Sequence, residues 1–200
     1  MCCGTGRHGR ALSGRGYSVI GIDRDRNAIA KARALAGGPS YVNRDIRDYR
    51  PESSAFDVAI IMSQSFGYFD PTTNRDVLGR LAAGLREGGR IILDLWSPAF
   101  FAAHQGEREF KVPSGVVREA KRVEGDRLFV HLDYPDGGQE QFEWQLFSPA
   151  QMISMAELVG LTRLVACTDF DETTFPSPTN PRVQFLFERS GASRANIGHL

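Results

Sequence analysis

Gly4, Gly6 and Gly9 stand in a GxGxxG spacing at the head of the chain, and Asp23 closes the next apolar run, Tyr17-Ser18-Val19-Ile20-Gly21-Ile22. A turn of that spacing brings the backbone close to a ligand and opens a helix whose first N–H groups face it. A carboxylate after the following strand can hold two ribose hydroxyls. The two features together predict an α/β unit built around a nucleotide-bearing ligand. The strand that should lead into the glycines is reduced to Met1 and Cys2.

Past the glycines the chain alternates between short apolar runs and helical periodicity. Residues 7–15 read as a helix closed by Gly14-Arg15-Gly16, and residues 17–22 as a short strand. Residues 25–36 place Ala28, Ile29, Ala32 and Leu35 at helical spacing before Gly37-Gly38-Pro39. Ser40–Asn43 and Phe56–Met62 read as strands, the second apolar enough to be covered on both faces. Pro71–Arg86 carries Val77, Leu78, Leu81 and Leu85 on one helical face, and Gly88-Gly89 should end it before a strand over Arg90–Trp96. This alternation predicts a doubly wound, mostly parallel Rossmann-like sheet.

From Val112 the period changes to two. Val116–Val123, Arg127–Tyr134 and Gln139–Leu146 alternate polar and apolar residues across hairpin links, which predicts an inserted antiparallel sheet over residues 112–147. Ser148-Pro149 starts a helix to about Val159, and Leu161–Thr168 and Arg182–Phe187 supply two late strands. The organisation expected is one domain over residues 1–189 and a flexible tail over 190–200.

Composition narrows the partners. Lys plus Arg and Asp plus Glu are both 24, so no net field draws the chain toward nucleic acid or an anionic membrane. Apolar runs such as Val58–Met62 are strand length and the N-terminus lacks a signal peptide's basic and apolar regions, so the chain reads as cytoplasmic. Cys2, Cys3 and Cys167 form no CxxC, and His8, His104, His131 and His199 are scattered, so neither a disulfide framework nor a metal site is expected.

A lone GxGxxG is shared by nicotinamide, flavin and S-adenosylmethionine enzymes. Three further features follow it in order: Cys3-Gly4-Thr5-Gly6 running into Arg7-His8, the acid in Arg44-Asp45-Ile46, and Leu85-Arg86-Glu87-Gly88-Gly89-Arg90. Together they resemble the class I S-adenosylmethionine-dependent methyltransferases, strongly over residues 2–96 and as architecture beyond. Arg182–Phe187 is similar to that family's antiparallel last strand.

The resemblance implies S-adenosylmethionine as cofactor. The Cys3-Gly4-Thr5-Gly6-Arg7 turn would line its methionine part and Asp23 would bind the ribose. Asp45 would accept from the adenine amino group, with Ile46 packed on the ring and Arg24 over its other face. Ser63 and Gln64 would sit beside the sulfonium and the amino group.

Ser63-Gln64-Ser65-Phe66-Gly67-Tyr68 stands where similar nucleic-acid amino methyltransferases carry an Asn/Asp-Pro-Pro-aromatic tetrapeptide, which is absent here. The run and the inserted sheet instead resemble small-molecule N-methyltransferases of the glycine or aminosugar type. A small-molecule acceptor is then implied, with Phe66, Tyr68 and Trp96 lining its site, Phe100 a weaker member, and specificity written between Trp96 and Trp144. Tyr68 and His104 are the catalytic candidates, Tyr68 ranked first. A homodimer through the exposed insertion is compatible with the sequence.

Two other readings remain open at this stage. A nicotinamide-dependent oxidoreductase shares the glycine turn and the acid, but Tyr-x-x-x-Lys is absent. An inactive or partner-completed chain follows from the missing first strand, which in the resembled fold lies at the centre of the sheet; a start further upstream is the favoured explanation.

Overall fold

The computed structural model describes residues 1–35 and 37–191. The expected tail beyond Gly191 lies outside the described residues. Helix α1 (Arg7–Ser13) leads to strand β1 (Ile20–Asp23), helix α2 (Arg26–Ala34), β2 (Ser40–Asn43), β3 (Phe56–Ile61), α3 (Pro71–Gly84) and β4 (Leu85–Trp96). After α4 (Pro98–Ala103) come β5 (Gly106–Val112), β6 (Gly115–Glu124), β7 (Arg127–Asp133) and β8 (Gln139–Gln145), then α5 (Pro149–Glu157), β9 (Leu161–Cys167) and β10 (Arg182–Arg189).

β1 and β2 pair in parallel, and β3, β4, β10 and β9 form a second sheet in that order. β3 and β4 are parallel, whereas β10 is antiparallel to both its neighbours. Met1–Cys3 lies between the two sheets: Cys3 N donates to Ile22 O (3.0 Å) and the Met1 nitrogen to Ile60 O (2.8 Å). The resulting order, β2-β1 then β3-β4-β10-β9, has an antiparallel strand inserted near one edge, unlike an all-parallel dinucleotide fold.

The main core lies between α3, α5 and the β3-β4-β10-β9 sheet, where Ile61, Leu78, Leu93, Phe185 and Phe187 are sealed from solvent. Each such side chain contributes about 1.5–3 kcal/mol of burial. Asp70, Ser97 and Ser148 cap α3, α4 and α5, and a proline occupies the first helical turn of each. The short polar side chain accepts the orphan N–H groups while proline supplies a preset φ.

Four differences from the sequence reading have local causes. α3 stops at Gly84, before Gly88-Gly89, because buried Leu85 already pairs with Phe56 of β3; Arg86–Gly89 then bulges out, with Gly88 at φ 72°, before pairing resumes at Val58 and Arg90. β3 is covered less than expected, with Val58 48% exposed, since only Met1–Cys3 separates it from β1. The inserted sheet has four strands, order β5-β6-β7-β8, because Gly106–Val112 pairs along its length with β6. The short helix α4 was not anticipated; six residues give too little periodicity to detect.

Among the described residues no helix is long and apolar enough to cross a membrane.

Candidate active site

Five turns meet at one edge of the sheets, each tied to the next by a short contact. The Gly4 N–H donates to Asp23 Oδ2 (2.7 Å) and the Asp25 N–H to Asp23 Oδ1 (2.9 Å), so the carboxylate at the end of β1 clamps the glycine turn to the start of α2. Asn43, at the end of β2, donates its Nδ2 to Asp23 O (3.0 Å) and Arg24 O (2.9 Å). Cys2 Sγ lies 3.6 Å from Ser65 O, which sets the glycine turn against the turn after β3. That turn in turn bonds the end of β4, with Ser63 N 2.9 Å from Asp94 Oδ2 and Gln64 N 2.9 Å from Asp94 O.

The glycine turn is built for close approach. Gly4 and Gly6 have φ of 52° and 81°, and a Cβ on Gly6 would fall 2.1 Å from the Tyr41 hydroxyl. Gly6 also starts α1 without a side-chain cap. Cys3, Gly4, Thr5 and Arg7 follow one another around this turn, with Thr5 and Arg7 exposed. Burial pushes the Cys2 thiol up to about 11, and the carboxylates of Asp23 and Asp45 act in the same direction. Both acids therefore lie near the space beside Cys2.

Asp45 is held by Arg47 through a bidentate pair, Nε to Oδ1 (3.0 Å) and Nη2 to Oδ2 (2.8 Å). The Arg47 guanidinium keeps the Asp45 carboxyl below the usual range, against an opposing push from partial burial. Arg24 lowers it further through its charge, so Arg24 and Asp45 share this end of the site. Ile46 is half-buried against the main core.

The turn after β3 is strained. Ser63 and Gln64 are consecutive non-glycine residues with φ of 56° and 57°, a conformation costing about 1–3 kcal/mol each that only strong local restraint maintains. Gln64 is 1% exposed, its Oε1 accepting from Trp96 N and its Nε2 donating to Phe66 O (3.1 Å). Both ends of its carboxamide are engaged inside the protein, so the side chain turns inward while the backbone stays in the turn beside Ser63. Ser63 keeps an exposed side chain.

Beyond this turn the aromatic side chains run in a chain of rings. Tyr68 packs on Trp144 (5.3 Å between centroids), Trp144 on Trp96 (4.9 Å), Trp96 on Phe101 (5.0 Å), Phe101 on Phe100 (5.5 Å) and Phe100 on His104 (3.9 Å, stacked). Trp96 and Phe101 meet the inner face of the inserted sheet, where Leu128, Val130 and Trp144 are buried. Tyr68 remains 44% exposed at the open end.

Two candidates are displaced from this wall. Phe66 is 2% exposed in the main core, packed on Phe147 at 5.4 Å, because the strained turn points it inward. His104 caps the end of α4, its Nδ1 2.8 Å from Phe100 O, five ring contacts away from Tyr68. The two catalytic candidates are not brought together.

Asp94 escaped the sequence reading, as did its partners. It is 1% exposed and receives the Arg182 guanidinium, Gln184 Nε2 (2.8 Å) and Ser63 N. A carboxylate inside the apolar run Ile91–Leu95 is the signal that could have found it. Trp144 was legible as the inward-facing position of an alternating strand, but its meeting with Tyr68 across the fold was not.

The model of the methyltransferase domain family matches residues 1–89. No curated protein matches the chain by sequence. Solved structures match its fold. An S-adenosylmethionine-dependent methyltransferase from Clostridium acetobutylicum superimposes with TM-score 0.81 at 16% identity, over 95% of this chain and 82% of that one. CalS10 from Micromonospora echinaspora, an amino pentose methyltransferase, gives 0.72 at 17% identity over 94% and 81%. KedS8 from Streptoalloteichus, a sugar N-methyltransferase, gives 0.67 at 20% identity over 95% and 78%. Residues 1–89 thus match the methyltransferase domain model, and the chain shares the fold of solved S-adenosylmethionine-dependent methyltransferases.

Proposed function

We propose that this methyltransferase moves a methyl group from S-adenosylmethionine to the nitrogen of a small-molecule acceptor by in-line displacement. The observation that carries the reading is the Tyr68–Trp144–Trp96 wall, joined by the Gln64-to-Trp96 bond to the turn that holds the cofactor candidate Ser63. CalS10 and KedS8, with the same fold, act on sugars or amino sugars, which supports an acceptor of that size.

The residues fit the cofactor on their own chemistry. Asp23 accepts two backbone N–H groups, yet an ionised carboxylate offers about four acceptor directions. Two remain for ribose hydroxyls. Asp45, preorganised by Arg47, keeps acceptor capacity on Oδ2 for the adenine amino group, with Ile46 and Arg24 beside it. The Cys3–Arg7 turn and Ser63 close the methionine end. When bound, S-adenosylmethionine supplies an already activated methyl group, so the protein's task is placement.

With the cofactor bound, an uncharged amine would attack through its lone pair, the N–C bond forming as the C–S bond breaks, and the ammonium product would lose its proton to bulk water on leaving the site. The Tyr68 hydroxyl accepts an acceptor N–H and aims the lone pair. Tyr68 and Trp96 keep water out and favour developing positive charge on the methyl through their ring faces. Holding the reactants in line lowers the barrier by about 7–11 kcal/mol.

Calorimetry with adenosylhomocysteine and with NAD, followed by labelled-methyl transfer to a panel of amino sugars and small amines, tests the proposal. Binding of adenosylhomocysteine and label in an amine product are expected. Binding of NAD alone would overturn the cofactor assignment, and label found only in oxygen-linked methyl would overturn the nitrogen assignment.

A further inference from the structure

Two turns far apart in sequence are joined through Asp94. Its Oδ2 accepts from Ser63 N and from Arg182, and its Oδ1 accepts from Gln184 Nε2. Gln184, 4% exposed, passes the connection on: its Oε1 accepts from Phe170 N (3.2 Å). Each turn contains consecutive non-glycine residues in the left-handed region, Ser63 and Gln64 in one, Asp169 and Phe170 (φ 55° and 57°) in the other. The amides that the network fixes are those of residues in the strained pairs. A buried ion pair contributes little net stability after desolvation, so its value lies in setting one geometry.

The second turn lies at the same edge of the sheet as the first. Gln184 pairs with Asp94 on one side and Cys167 on the other, so the chain leaves β9 level with the carboxyl end of β4. Ser97 N, one residue after Trp96, donates to Pro181 O (3.0 Å), which anchors the far end of the loop beside the aromatic wall. Phe170 and Phe175 project from this loop, 59% and 78% exposed.

We propose that Asp94 and Gln184 are positioning residues that tie the cofactor-side turn at Ser63 to the loop over residues 168–181, so that cofactor binding orders the loop and sets Phe170 against the apolar part of the acceptor. The inference rests on the cofactor reading given above. Linkage makes the effect reciprocal: an acceptor held by the loop tightens the cofactor by the same factor.

Hydrogen exchange on the full chain, read over residues 168–175 with and without adenosylhomocysteine, tests the relay. Wild type should exchange there about fivefold more slowly, or better, with the ligand bound. Gln184→Leu should still bind adenosylhomocysteine by calorimetry but lose that slowing. Phe170→Ala keeps its backbone N–H and should retain it. If Gln184→Leu does not fold, Gln184→Glu preserves size and the acceptor for Phe170 N while opposing Asp94, and should also lose it. Slowing that survives in the Gln184 variant, or a wild type that binds without any slowing, overturns the relay. A wild type that does not bind adenosylhomocysteine overturns the cofactor reading instead.

Discussion

The Gly4 N–H lies 2.7 Å from Asp23 Oδ2, so the acid at the end of β1 and the glycine turn form one rigid piece before any ligand arrives. The same carboxylate accepts from Asp25 N, at the entrance to α2. A side chain that shapes its own binding site cannot be removed without moving its neighbours. Asp23→Ala should therefore weaken adenosylhomocysteine by about tenfold or more, the loss of one charged hydrogen-bond set. Asp23→Asn, which can keep one acceptor on the Gly4 amide, should lose less. Calorimetry on both variants measures this; equal affinity in wild type and Asp23→Ala would remove Asp23 from the site.

Gly67 shows how tightly the inserted sheet is seated. It has φ 102°, and a Cβ there would fall 2.5 Å from Gln145 O, the carbonyl of a residue whose own N–H donates to Gly67 O at 2.7 Å. Neither backbone can retreat without breaking that bond. Gly67→Ala should cost about 2 kcal/mol or more. Urea unfolding reads the loss, and a shift below half that size would mean that the seam is loose.

The Asp45–Arg47 pair predicts a pH dependence. Arg47 holds the folded Asp45 carboxyl below its ordinary value, so the folded state favours the ionised form. That contribution is fully present above the ordinary carboxylate pKa and fades as pH falls toward the lowered one. The stability difference between wild type and Asp45→Asn should thus be constant near neutrality and shrink in acid. Thermal unfolding across that range checks the sign; a gap that widens in acid contradicts the pairing.

Much of this architecture is visible in the sequence because it is local. The Gly4–Gly9 spacing, the Asp23 that follows one strand later, and the period change after Val112 are each confined to a few dozen residues. What stayed hidden depends on pairings between distant segments. Asp94 reads as one polar residue in a strand until Arg182 and Gln184 are brought to it by an antiparallel neighbour. The direction of the Gln64 side chain was not legible either: the left-handed turn rotates it inward onto Trp96 N and Phe66 O. β5 went unread because its residues are almost all exposed, leaving no alternation to detect.

The chain has two tryptophans, Trp96 and Trp144, and they touch at 4.9 Å in the wall beside Tyr68. Intrinsic tryptophan emission therefore reports this one region. Adenosylhomocysteine should change the emission, because Trp96 N is held by Gln64 of the turn after β3, the turn proposed to meet the cofactor. Tyr68→Ala should shift the emission of the free protein, since Tyr68 packs directly on Trp144. Emission unmoved by saturating adenosylhomocysteine would mean that the turn and the wall are not connected.

Tyr68 and His104 can be separated by their distance along the ring chain. Tyr68 is exposed at the end nearest the strained turn, whereas His104 stacks on Phe100 at the opposite end with its Nδ1 engaged by Phe100 O. With whichever amine wild type methylates, Tyr68→Phe should lower kcat by about tenfold or more, because positioned hydrogen bonds to a reacting group contribute at least that much. Its effect on cofactor affinity should be small, since the proposed role of Tyr68 is on the acceptor side and its ring packs on Trp144. His104→Ala should leave kcat within about twofold, as expected for a surface change remote from the reacting atoms. Steady-state rates on the two variants decide the matter. A large fall in kcat for His104→Ala, with Tyr68→Phe unaffected, would move the chemistry to the α4 end of the wall and reverse the assignment.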